Sequence, residues 1–300
     1  MGKRSLGIIL ALIMLIGVIY YDSQTLNTGI SREEPKVVIT FGADLTEAQK
    51  NQVMKTFEKW KKRKNAHVIT VSNQEERQYL EGKIEDNLIG SRAISSAYLE
   101  LMDGTEGIEI ETENISAISP FMYVNALTTA GVEDARVIVA APFEVSGTAA
   151  LTGIIKAFET AKAEKLTDNA KETAYQELTE TYKLSHKYGK KNTENMIYDI
   201  KREVIEKELF SATEIKAVII EISNHYNVNL NETEIERIIL LMQGYKNIKL
   251  DTGKIEEQLK NVTRNLAEVQ GVTNTTVRFL EQIANFFRNL ALQIENIFKK

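Results

Sequence analysis

Hydrophobic positions in residues 36–165 switch repeatedly between two spacings. Short β-branched or apolar runs at 36–41 (KVVITF), 67–71 (HVITV) and 137–141 (VIVAA) predict strands. Residues 93–102 and 108–112 alternate, with DGTEG (103–107) between them, which predicts a hairpin. Helical spacing fills the gaps. Val53, Phe57 and Trp60 mark a helix over 48–60, opened by a Thr46/Gln49 capping box and ended by the cations of KWKKRK (59–64). Asn73 is placed to cap a short helix over 74–80. Ser119-Pro120 opens a helix that runs to Ala130 and stops at Gly131. Residues 147–163 form the last helix of this half. The order β-α-β-α-β-β-α-β-α predicts a layered α/β domain with a mixed sheet, its strand order left open.

After Leu166 the period of two disappears. Helical patterns cover about 168–188, 193–209, 212–226, 232–245, 252–268 and 274–298, punctuated by Gly189, Gly244 and Gly271. Ile235, Ile238, Ile239 and Met242 form one apolar stripe. The expected class is therefore α+β, with an α/β domain over 36–165 followed by an all-α domain over 166–300. The final helix (276–300) is amphipathic, with Val277, Leu280, Ile283, Phe287, Leu290, Ile294 and Ile297 on one face. It packs on the bundle or lies against a membrane or partner.

The first 22 residues follow a different rule. Lys3 and Arg4 precede sixteen uncharged residues, 6–21. As a helix these span about 24 Å, just short of a hydrocarbon core of roughly 30 Å. Two readings stand: a cleaved signal peptide, or an uncleaved anchor with Tyr20 and Tyr21 at the interface. Both place the rest of the chain outside the cytoplasm, with the polar, aperiodic residues 23–35 as a tether.

Composition narrows the chemistry. The chain has no cysteine, which excludes disulfides, thiol catalysis and iron–sulfur clusters. A net charge of −5 argues against a nucleic-acid partner. The three histidines lie in separate segments without metal-ligand spacing, so no metal and no cofactor are expected.

The stretch APFEVSGTAALTG (141–153) has the strand–turn–helix layout of a phosphate loop. Its glycines are six apart and Ile154 stands where a Walker lysine belongs; a dinucleotide fingerprint also fails. Ser146 lacks the flanking glycines of a nucleophile elbow. What survives is a helix start, with Ser146 or Thr148 as cap, able to bind an anion through its backbone N–H groups. The small residues Gly147, Ala149, Ala150 and Gly153 would equally let the helix pack closely on the sheet. Candidate ligand-binding residues are thus Ser146, Gly147 and Thr148, with Asp44 and Glu144 at strand ends and Arg92 before the next strand. Asp44 and Glu144 have an alternative reading as turn and cap residues.

Read together, FGADLTEAQK, IGSRAISSAYLEL and the phrase PFEVSGTAALTG resemble the YpuA-like family of extracytoplasmic proteins from Gram-positive bacteria. The resemblance covers about residues 36–250. It implies export, an envelope location and a two-part architecture, and it supplies no catalytic residue. Two functions follow as expectations. One is a membrane-tethered envelope module that binds a partner protein or wall polymer without catalysis. The other is an extracytoplasmic hydrolase working through a pocket that joins Glu144, Ser146, Asp44 and Arg92.

Overall fold

The computed structural model describes residues 36–59, 65–103 and 107–248. Strands β1 (Val37–Gly42), β2 (His67–Val71), β3 (Ser96–Leu101), β4 (Ile108–Ile115) and β5 (Ala135–Val145) form one mixed sheet in the order β2-β1-β3-β5-β4. β1 runs parallel to β2, and β5 parallel to β4; β3 is antiparallel to both β1 and β5.

The hairpin expected from residues 93–112 does not form. β5 lies between β3 and β4, so the connection at 102–107 crosses two strand spacings, roughly 10 Å in all, instead of one. Burial explains the order. β5 reads ARVIVAAPFEV, and its first eight residues are buried except for Arg136. Such a run is most stable with neighbours on both edges and layers on both faces. β4 reads IEIETENI, alternates, and stays half-exposed, which suits an edge. Arg136 fixes the pair by donating to Glu109 at 2.8 Å.

The period of two sends alternate residues to two layers. Val37, Ile39, Tyr98 and Ile138 face helix α1 (Glu47–Glu58), against its Val53 and Phe57. The Phe57 ring lies 6.5 Å from Phe41 and 6.1 Å from Tyr98. The predicted Thr46/Gln49 capping box opens α1. Val38, Ala97, Leu99, Val137 and Val139 face the other way, into the larger core. Four helices close that side: α2 (Asn73–Leu80), α4 (Pro120–Ala130), α5 (Thr148–Lys162) and α6 (Asp168–Tyr188). The four-residue α3 (Asp86–Ile89) joins α2 to β3. Ser72, not Asn73, caps α2, in a capping box with Glu75. Asn73 also has a carboxylate three residues on, Glu76, but its amide donates to that carboxylate, while Glu75 accepts from the Ser72 N–H at 2.8 Å and closes the box one residue earlier.

Helix α5 owes its seat to Gly153. A Cβ there would lie 2.6 Å from Thr40 Oγ1 and 3.7 Å from Val71 Cγ2, so only glycine lets the helix axis come this close to β1 and β2. The small residues of this helix therefore serve close packing at Gly153.

The helical half continues with α7 (Lys190–Glu206), α8 (Ala212–His225), α9 (Glu232–Gly244) and a 3-10 turn (Tyr245–Asn247). α7 starts directly after Gly189, three residues earlier than its hydrophobic pattern, because Gly189 turns the chain at φ 93°. Ile235, Ile238 and Met242 of the predicted stripe join Met196, Ile200 and Ile219 in a second core. The helices expected over 252–268 and 274–298, and residues 1–35, lie outside the described residues. Among the described residues no helix is long and apolar enough to cross a membrane. The architecture is α+β, as the periodicity predicts.

Helix α6 serves both cores. Its Ala174, Tyr175 and Leu178 belong to the sheet's core and its Leu184 to the helical one. Between them sits a buried ion pair. Lys201 (α7) is 0% exposed and Glu177 (α6) is 1% exposed, with Nζ 3.1 Å from both carboxylate oxygens. Lys201 also donates to Thr129 Oγ1 at 2.6 Å and to the Asn125 carbonyl at 3.2 Å, both on α4. The Tyr245 ring covers the ammonium at 5.3 Å. Burial pulls the Lys201 pKa down, and the Glu177 carboxylate opposes that. Three helices thus share one desolvated charge cluster.

Two substitutions test this packing. Lys201→Ala strands the Glu177 carboxylate and should lower stability by about 3–5 kcal/mol in urea titrations. The apolar double variant Lys201→Met/Glu177→Leu should recover most of that loss. Gly153→Ala should cost about 1–3 kcal/mol by forcing α5 off the sheet. Adding Thr40→Ala should relieve part of it, a non-additivity that a double-mutant cycle measures.

Candidate functional site

The site is built where β5 gives way to α5. Glu113 pairs with Ala140 and Ile115 with Val145, so four residues of β5 oppose one of β4. This bulge is held by Asn114 at φ 61°, whose side-chain amide donates to the Ala141 carbonyl at 2.8 Å. Bulges re-aim side chains. Here the bulge leaves Phe143 42% exposed. Four residues further on, Gly147 adopts φ 97° and becomes the N-cap of α5 without any side-chain cap. Neither Ser146 nor Thr148 caps the helix; their hydroxyls bond each other at 3.2 Å. The Tyr123 hydroxyl donates to the Gly147 carbonyl at 2.5 Å and fixes the turn from below. A Cβ on Gly147 would lie 2.5 Å from that hydroxyl and from Ile115 Cγ2, so the turn admits no side chain.

The start of α5 faces an open recess of about 250 Å³. Arg92, Ser146 and Thr148 line it together, with Phe143, Asn87 and Leu88. Of the other candidates, Gly147 shapes the turn behind it. Asp44 and Glu144 are exposed and lie outside the lining. Asp44 instead accepts from the Ala93 N–H at 2.8 Å, a turn role that steadies the residue after Arg92. The pocket joining Asp44 and Glu144 to Ser146 and Arg92 is therefore not formed.

The residue that sequence reasoning missed is Glu76, at the floor of the recess. It is 1% exposed. One carboxyl oxygen, Oε2, accepts from the Asn73 amide at 3.3 Å. The other, Oε1, has no hydrogen-bond partner among the described residues. Burial pushes the carboxyl up to about 7, and the nearby Thr148 hydroxyl, the Asn73 amide and the Arg77 charge offset only part of that. Its neighbours hold it in place. Lys156 of α5 pairs with Glu75 at 2.5 Å and ties α2 to α5. Arg77 donates to the Gly90 carbonyl at 2.8 Å, anchoring the loop that carries Arg92. A signal was present in the sequence: with Ser72 as cap, Glu76 and Leu80 fall four residues apart on one helix face, and both are buried.

On the far side of α3 lies a second recess of about 330 Å³. Asn87, Leu88 and Ser146 line both recesses. The second adds Tyr182, Ser185 and His186 from α6 and Lys190 from α7. Ser185 is 4% exposed, and its Oγ has no hydrogen-bond partner among the described residues. Lys190 donates to the Ser116 carbonyl at 3.2 Å. No group of three or more His, Asp or Glu among the described residues could hold a metal ion.

Glu76 makes a pH prediction. Its folded pKa lies above the unfolded value of 4.5, so between pH 4.5 and about 7 the folded chain keeps a proton that the unfolded chain has lost. Stability should fall as pH rises through that window, by about 1.4 kcal/mol per unit from this group. Glu76→Gln removes the effect. The variant should match the wild type near pH 4.5 and exceed its stability by about 1–3 kcal/mol at pH 8, measured by urea denaturation. An equal difference at both pH values would show that Glu76 titrates normally.

The family model described as "Protein of unknown function (DUF1002)" matches residues 41–262, from the last two residues of β1 through α9, and takes in both recesses. The uncharacterized protein YpuA of Bacillus subtilis (strain 168) is 36% identical over 268 residues, covering 88% of this chain and 90% of that protein. No solved structure matches the chain. The match bears out the resemblance carried by PFEVSGTAALTG, the stretch that shapes the bulge and the start of α5: the chain belongs to the DUF1002 family.

Proposed function

We propose that the chain is an extracytoplasmic protein of the cell envelope, held at the membrane through residues 1–22, which binds a wall polymer without catalysis. The location rests on the basic start followed by residues 6–21 without a charge. The binding role rests on one observation above the rest. Arg92, Ser146 and Thr148 converge on a recess also lined by Glu76, whose buried Oε1 has no partner among the described residues. Leaving such an oxygen unmet costs about 1–3 kcal/mol, which a donor on a ligand would recover.

The absence of catalysis is favoured by the lining. Hydrolysis of glycosides by the common route uses two carboxylates across one bond. Glu76 is the one carboxylate lining either recess among the described residues. The Ser146 hydroxyl faces Thr148, not a basic side chain. A carboxyl near pH 7 could act as a general base, so the test must also read hydrolysis.

Co-sedimentation of the full-length chain with purified wall sacculi is that test. The wild type should sediment, and Ser146→Leu, which fills the recess, should weaken retention at least fivefold. Retention that Ser146→Leu leaves unchanged would refute the recess as the binding site. Release of soluble wall fragments during incubation would favour the hydrolase.

A further inference from the structure

Resting on the first recess as a ligand site, we infer that the two recesses flanking α3 are adjacent subsites of one groove that takes an oligosaccharide, one sugar ring in each. The two repeat a single chemistry. Each is lined by a residue whose side chain holds a buried oxygen without a partner among the described residues: Glu76 Oε1 in the first, Ser185 Oγ in the second. Each has an aromatic ring in its wall, Phe143 in the first and Tyr182 in the second. Each has one cation at its edge, Arg92 or Lys190. Asn87, Leu88 and Ser146 line both, so a chain passing from one to the other crosses a shared ridge.

This set of groups selects for sugar over other polar ligands. A sugar hydroxyl both donates and accepts, so it satisfies a serine hydroxyl and also a carboxyl in either protonation state. A phosphodiester has no proton to donate to ionised Glu76, and the anionic forms of phosphate would bring a second negative charge against it. The apolar face of a pyranose covers an exposed aromatic ring, and Phe143 keeps 42% of its surface open beside the floor carboxyl. Volumes of about 250 and 330 Å³ sit at or below the lower end for a drug-sized ligand, so each recess holds a single ring and not a folded chain. Linking two modest subsites raises affinity without any new contact type, because the second ring is delivered by the first.

Calorimetric titration of the full-length chain with N-acetylglucosamine and its β-1,4-linked dimer and tetramer tests the groove. The dimer and tetramer should bind at least tenfold more tightly than the monomer. Tyr182→Ala should erase that gain and leave monomer affinity within twofold, whereas Tyr182→Phe, which keeps the ring, should preserve it. Phe143→Ala, at an exposed position, should weaken all three sugars about tenfold with an unchanged thermal midpoint. Equal affinity at every length would reduce the groove to one subsite and overturn the inference. So would a length gain that Tyr182→Ala leaves intact. If no sugar binds while wild-type sedimentation with sacculi and its loss in Ser146→Leu persist, the sugar assignment fails and the recess as a wall-binding site stands. If both fail, the site itself is wrong.

Discussion

Between Val145 and Thr148 the chain must leave a central strand and begin a helix in a space that has no room for a side chain. The turn is possible only because Gly147 takes φ 97° with Ile115 and the Tyr123 hydroxyl pressed against its Cα. The rest of the site inherits that geometry. The bulge before it turns Phe143 outward, and the turn itself points the start of α5 at Glu76 and Arg92. A Cβ at Gly147 would therefore disturb strand, helix and recess at once.

A second constraint sets what stands opposite. Helix α6 carries Tyr175 into the sheet's core and Tyr182 and Ser185 into the second recess. Its register is fixed by Glu177, whose carboxylate meets Lys201 of α7 and the Thr129 hydroxyl of α4. Buried ion pairs add little net stability, since desolvation offsets most of their attraction, but losing one partner strands the other charge at a cost of about 3–5 kcal/mol. The cluster thus positions α6 and, through it, one wall of the groove. Tyr79 stacks on Tyr175 at 4.5 Å, joining α2 and its Glu76 to the same helix.

Much of this was legible in the sequence, and the rest was not for physical reasons. The Thr46/Gln49 box, Ser119-Pro120 and the Gly131 stop are local signals, and local signals set element ends. Strand order is not local. The turn DGTEG argues for a hairpin in isolation, and only the competition of β5 for the middle of the sheet overrides it. Arg92, Ser146 and Thr148 could be found from the rule that ligands gather at strand ends. Glu76 was legible only in its spacing from Leu80, which marks a shared helix face; a carboxylate inside SNQEERQYL otherwise reads as solvated. Its burial depends on α5 and the 90–92 loop closing over it. Asp44 and Glu144 satisfied the same positional rule and fall outside the recess, so position nominated sites without deciding among them.

The recess is a built site only if Glu76 is a desolvated carboxyl that lacks a donor. Its titration can be followed directly through the ¹³C resonance of the side-chain carboxyl in selectively labelled protein. A desolvated Glu76 should titrate with a midpoint near 7 in the free chain, displaced when sacculus-derived glycan fragments are added. A midpoint close to the ordinary 4.5, insensitive to those fragments, would mean that the carboxyl is hydrated and the recess is not a built site.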